Sequence, residues 1–336
     1  MTATTGELTT AEQVREAIMD ARRDVTPVEI RSGGSVLDRL PTGDHPVLSV
    51  AGMTGVVAHA AEDLTVTVRA GTPLTELSQV LADAGQECPI EPTGGAGSTV
   101  GGRIATALAG PRQLGAGRVR DWLLRIRFVT GAGQIATAGG VTVKDVTGYD
   151  LCRLMTGSWG TLGVITEVTL KLRPLARHRA WYATDRPRHD LDALLYRPSA
   201  SITTRERTHV LLEGHPDDAA EQAALAALVP ANPPTLPVTA RASVDPARLV
   251  GLVEECETLG LVWAAQDGVG VCHLDGDGDR LDAARTAAEK RGGALLVLDP
   301  HLQRPAFGSR GSSPIDERVR RTLDPDAVLA PWRWTR

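Results

Sequence analysis

The sequence predicts an α+β protein built as two units and a tail, on three observations. The first half sets brief β-branched runs among helical stretches and three glycine-rich segments. Past Pro174 that glycine-rich texture ends. The second half alternates apolar strands with helices around a turn at Asp267-Gly268, the pattern of helices on one face of an antiparallel sheet. A chain of 336 residues is long enough to bury two cores. The expected bounds are 1–175, 176–300 and a tail over 301–336.

The first helix is expected over 10–23, where Thr10 and Gln13 have capping-box spacing and Val14, Ala17, Ile18 and Ala21 recur on one face. Strands follow at 28–30, 47–50 and 65–68, short runs separated by Gly, Pro and Asp. A second helix starts at Pro73, whose φ suits a first helical position, passes Leu74, Leu77 and Leu81, and stops at Gly85. Strand pattern returns at 122–130 and 164–172, and residues 178–190 read as a linker. Further strands are expected at 208–212, 236–240, 261–265, 269–273 and 294–298, with helices at 217–228, 245–259 and 279–291 and a last short one at 315–323.

Bulk composition narrows the function. A net charge of -5 without any Lys/Arg block argues against nucleic acid or an anionic membrane as main partner. Cys88, Cys152, Cys256 and Cys272 stand far apart with no C-x-x-C, so neither an iron-sulfur cluster nor a zinc site is expected from them. The eight histidines contain no H-x-x-x-H or H-E-x-x-H pair, and no metal is expected. Residues 1–13 lack the basic and apolar regions of a signal peptide, and no later stretch reaches the roughly 18 to 20 apolar residues of a membrane span. A cytoplasmic protein with reduced thiols is expected. Asp275 to Asp279 invites a calcium reading, but Arg280 and Thr286 stand where such a loop wants Gly and Glu; a strand-to-helix turn is expected instead.

The chemistry points to the glycine-rich segments at 30–35, 91–102 and 143–168. Glycine lets a backbone approach a ligand, and consecutive N–H groups form a concave site for phosphate oxygens. Each loop alone also reads as a tight turn. None has the G-x-G-x-x-G spacing of a dinucleotide-binding βαβ unit.

Their order is more specific than any one of them. Arg31-Ser32-Gly33-Gly34-Ser35 comes first, then Thr99-Val100-Gly101-Gly102 followed by Ile104-Ala105-Thr106-Ala107. Lys144 to Leu151, containing Gly148-Tyr149-Asp150, and Gly157 to Thr166 complete it. With 68–92 and 110–133, these motifs make the chain resemble FAD-binding flavoproteins of the PCMH (vanillyl-alcohol oxidase) type, nearest the glycolate oxidase FAD-binding subunit. The likeness covers roughly residues 1 to 175.

It implies a PCMH-type two-part FAD-binding domain followed by a small α+β cap, with the tail packing back on the FAD domain. Carried over by position, Arg31, Ser32, Gly33, Gly34 and Ser35 with Thr99, Val100, Gly101 and Gly102 would cradle the FAD pyrophosphate. Pro92 and Thr93 would lie near the isoalloxazine, Gly148, Tyr149 and Asp150 along the cofactor, and Gly160, Gly163, Val164 and Ile165 at the adenosine end. Many relatives attach flavin to a histidine of the first loop; Ser35 and the absence of histidine there imply non-covalent FAD.

The tail departs from the family pattern, with Ala330 and Trp332 where an asparagine and a glycine are usual. The second unit also lacks the histidine and acidic cluster by which larger catalytic members hold a 2-hydroxy acid. The catalytic residues are therefore unknown from sequence, with His301 or Tyr182 as candidate bases and Arg304 or Arg310 as candidate carboxylate clamps. Two readings stand: an oxidoreductase subunit acting on a small 2-hydroxy acid and passing electrons to an iron-sulfur partner, or a non-catalytic FAD-binding subunit beside a larger catalytic flavoprotein. A stand-alone flavin oxidase is a third, with no residue arguing for it.

Overall fold

The protein is described from a computed structural model, which covers residues 7–40, 45–92, 95, 97–140, 150–308 and 313–333. It is a mixed helix and sheet fold. The helix Ala11–Arg23 forms as its pattern dictates: the Thr10 hydroxyl accepts from the Gln13 N–H while the Gln13 side chain returns to the Thr10 N–H, and Val14 and Ile18 are buried. These pack on a small parallel pair, Glu29–Arg31 with Val47–Ser49, in a core that also takes Val328 and Leu329 from the far end of the chain. There Val28 donates to the Val328 carbonyl at 2.8 Å and Ala330 to the Val28 carbonyl at 3.0 Å. A tail segment so becomes a parallel neighbour of the strand that leads into the first glycine loop.

The larger sheet of this half is antiparallel, in the order Val56–Ala60, Thr65–Arg69, Val164–Lys171, Leu123–Val129, Ile135–Gly139. Its inner face carries Val66, Val68, Ile126, Phe128, Val168 and Leu170, against which the helix Leu74–Asp83 lays Leu74, Leu77 and Leu81. Each fully buried leucine contributes about 1.5 to 3 kcal/mol relative to an exposed one. Pro73 is the N-cap of that helix rather than its first residue, and Gly85 follows its C-cap at φ +69°.

The second half is one eight-stranded antiparallel sheet, ordered Val229–Pro230, His178–Thr184, Thr208–Gly214, Ala200–Thr204, Val262–Gln266, Val271–Asp275, Ala240–Ser243, Ala294–Val297. Residues 178–190 are thus not a plain linker: His178–Thr184 pairs along its whole length with Thr208–Gly214. The strand expected at 236–240 begins only at Ala240. Helices Leu249–Thr258 and Gly278–Lys290 cover one face, where Leu252, Cys256, Leu281, Ala284 and Ala288 meet Ala240, Ala242, Trp263, Ala265, Cys272 and Leu274. Because side chains alternate along a strand, Arg241, Gln266 and His273 belong to the opposite face.

A charged cluster joins the halves. Glu87 and Glu213 accept from Arg112 at 2.7 and 2.9 Å and from Arg173 at 2.7 and 2.9 Å, and both also pair with Arg179. Burial pushes both carboxyls up, but the guanidinium partners outweigh it and hold them below the usual carboxylate range.

Candidate functional site

One cleft, open to solvent, is walled by all three glycine-rich segments and by the tail. The first loop leaves the strand Glu29–Arg31 and turns at Gly34, where φ is +73°. Ser32, Gly33, Gly34 and Ser35 line the cleft. Among the described residues the backbone N–H groups of Gly33, Gly34 and Ser35 find no acceptor, and the buried Ser32 hydroxyl has no partner. Donors left unspent in a concave turn are a seat for an anionic ligand. Arg31 closes the base of the loop by pairing with Glu29 at 2.8 Å and with Asp38, away from the wall.

The second loop is used differently. A Cβ on Gly33 would stand 1.6 Å from the Gly97 carbonyl oxygen, so the two loops touch backbone to backbone. Thr99, Gly101 and Gly102 reach the wall, yet the Gly101 N–H donates to the Ala70 carbonyl at 2.7 Å and the Gly102 N–H to the Thr99 hydroxyl at 3.2 Å. Its amides are already committed. The glycines there allow close packing on Ala70, whose Cβ would lie 2.6 Å from a Cβ on Gly101.

The third wall is Trp159, Gly160, Gly163 and Ile165. Trp159 takes a left-handed backbone, φ +55°, held by its N–H to the Ala105 carbonyl at 2.8 Å and by an edge contact with Phe307 at 5.0 Å. From the tail, Arg333 enters the wall, pairs with Glu29 at 3.1 Å and donates to the Trp159 carbonyl. Burial pulls its guanidinium below the ordinary range. Trp332, which stands where a glycine is usual, stacks on His45 at 3.5 Å. No acidic residue, histidine or cysteine lies on this wall among the described residues.

Other sequence candidates fall elsewhere. Val100 and Val164 are buried in the core, Pro92 is exposed, and Asp150 caps the helix Leu151–Met155. Thr93, Gly148, Tyr149 and Arg310 lie outside the described residues. Arg304 is taken up by Asp279 at 2.7 Å and Asp282 at 2.8 Å, and His301 is exposed in a turn. Tyr182 bonds to His178 at 3.3 Å and packs in the separate core beneath the helix Pro216–Leu225. Asp277 caps the helix Gly278–Lys290, the expected strand-to-helix turn. No group of three or more possible metal ligands occurs among the described residues. Sequence reasoning misses Trp159, Arg103 and Arg333 on the wall, although Arg333 directly follows Trp332, where the tail departs from the family pattern.

Residues 5–139 match the FAD binding domain family. The chain carries a PCMH-type FAD binding domain, and FAD is the cofactor that this domain takes. It is 44% identical to the glycolate oxidase subunit GlcE of Escherichia coli (strain K12) over 169 residues, 49% of this chain and 47% of that protein. It is 36% identical to a D-lactate dehydrogenase of Archaeoglobus fulgidus over 169 residues, 50% of this chain and 38% of that protein. The chain thus spans about half or less of the length of these curated relatives. An alkyldihydroxyacetonephosphate synthase structure superposes over 96% of this chain and 76% of its own, with a TM-score of 0.69 at 16% identity, which shows a shared fold. The unspent donors of Ser32 to Ser35 and the cationic Arg333 fit the polyanionic middle of FAD.

Proposed function

We propose that the chain is an FAD-dependent oxidoreductase acting on the CH–OH of a small 2-hydroxy acid such as glycolate or lactate, as the FAD-binding subunit of a glycolate oxidase-like complex. The observation that carries this is the convergence of the first loop's free donors with Arg333 in one cleft of an FAD binding domain. The identity with a glycolate oxidase subunit supports the substrate class. Bound FAD would supply the ring that takes up a hydride from the alcohol. In this reading Ser32, Gly33, Gly34 and Ser35 hold the pyrophosphate, Arg333 offsets its charge, and Trp159 keeps water from that end of the cleft. FAD is held non-covalently. Electrons leave through an iron-sulfur protein, with a larger flavoprotein as further partner, in the cytoplasm, where the four free cysteines stay reduced.

A second reading, a non-catalytic FAD-binding subunit, is favoured by the absence of carboxylate or imidazole from the described cleft wall. Anaerobic addition of glycolate and D-lactate separates the two. Slow bleaching of bound flavin in the chain alone, accelerated by the partner subunits, supports the oxidoreductase; flavin that stays oxidised in chain and complex alike removes it.

A further inference from the structure

Three residues near the end of the chain fasten the tail to the cofactor cleft. Ala330 is fully buried and holds a left-handed backbone, φ +44°, which a residue with a Cβ adopts at a cost. Two residues on, the Trp332 indole lies flat on the His45 imidazole, with ring centroids 3.5 Å apart and planes 10° apart. Arg333 then reaches Glu29 at 3.1 Å and the Trp159 carbonyl, and its guanidinium lies over Gly160, where a Cβ would stand 3.7 Å from a terminal nitrogen. One side chain thus ties the strand before the first glycine loop to the third glycine segment.

His45 stands in a fixed place relative to the carboxylate that this guanidinium meets. Its neighbour Pro46 accepts the Glu29 N–H at 2.8 Å, so the ring beneath Trp332 and the acid on Arg333 share one backbone registration. Glu29 alone does not hold the guanidinium firmly. It gives one oxygen to Arg333 and the other to Arg31, at 3.1 and 2.8 Å, so that its charge is divided between two cations. Burial first, and then the like charge of Arg31, act against the Arg333 cation. Hydration and side-chain entropy both favour its swinging out to water, yet only 6% of the side chain is exposed. A flat aromatic stack one residue away, set on the segment that is registered to Glu29, opposes that movement.

We propose that His45 is a positioning residue of the cofactor site: by stacking on Trp332 it holds Arg333 in the cleft wall, where the guanidinium meets the phosphates of FAD. This rests on the reading above that Arg333 offsets the pyrophosphate charge. His45 is not itself on the cleft wall, and its effect on the cofactor passes through the tail.

The test is a double-mutant cycle on the full chain stripped of flavin, with FAD affinity read from the quenching of flavin fluorescence. His45→Ala should weaken FAD binding about 5-fold, the worth of one aromatic stack, and His45→Phe, which keeps a flat ring, should recover it. Arg333→Met should weaken binding about 10- to 100-fold, the range for a hydrogen bond to a charged group. Added to Arg333→Met, His45→Ala should change nothing further. Unchanged affinity in His45→Ala overturns the proposal, and so do equal losses from His45→Ala with and without Arg333, because the stack would then serve the fold rather than the guanidinium. A His45→Phe variant that is folded by its far-ultraviolet ellipticity and binds no better than His45→Ala also overturns it. Wild-type affinity in Arg333→Met overturns it by a different route, since it removes Arg333 from the cofactor site while FAD still binds.

Discussion

Gly34 and Gly101 both stand on the cleft wall, and the reasons each must be glycine differ. Gly34 holds φ +73° with an unspent N–H, and a Cβ there would meet only the flexible carboxylate of Asp38. A side chain in that region costs about 1 to 2 kcal/mol, so Gly34→Ala should stay folded and bind FAD about 10-fold more weakly in a flavin fluorescence titration. Gly101 is pressed on Ala70. Gly101→Glu should therefore abolish FAD binding, and with it the stabilisation of about 2.7 kcal/mol that ligand at 100-fold above Kd confers; a mutant that still melts higher with added FAD would contradict the assignment. Sequence placed both glycines at the cofactor but could not tell which amides were free. That depends on the Gly101 to Ala70 hydrogen bond, a tertiary contact with no local signature. The stack of Trp332 on His45 was illegible for the same reason, since residues from opposite ends of the chain form it.

Among elements, those with a strong period were the readable ones. Helices such as Ala11–Arg23 and Gly278–Lys290 follow their apolar spacing and caps closely. Strand His178–Thr184 was hidden because its accessible residues include His178 and Arg179, and Arg179 faces the acidic pair Glu87 and Glu213 rather than a core. The ion cluster makes its own prediction. Glu213→Gln removes one of two carboxylates shared by three arginines and should destabilise the protein by about 3 kcal/mol in urea unfolding. The pH dependence follows in sign: both glutamates have lowered folded pKa values, so their contribution is complete above the unfolded value of about 4.3 and is lost as pH falls through the folded values. Wild type should lose stability below about pH 4.3 more steeply than Glu213→Gln; parallel acid profiles would exclude the cluster as the cause.

For the whole molecule, the lack of histidine and cysteine on the wall among the described residues predicts that FAD leaves with acid or heat into the supernatant, as absorbance would record; flavin retained on the precipitate would contradict non-covalent binding. The overall α+β plan was legible because each half buries its own apolar pattern, whereas the return of the tail rested on a motif that this chain only partly keeps. That return has a kinetic side. The pairing of Val28 with Val328 and Ala330 closes a loop of most of the chain, and contacts so distant in sequence form late because their closure entropy is spent before they stabilise anything. Refolding from denaturant should restore far-ultraviolet ellipticity first and the ability to quench FAD fluorescence afterwards, so that a nascent chain acquires its helices and sheets well before it can load its flavin.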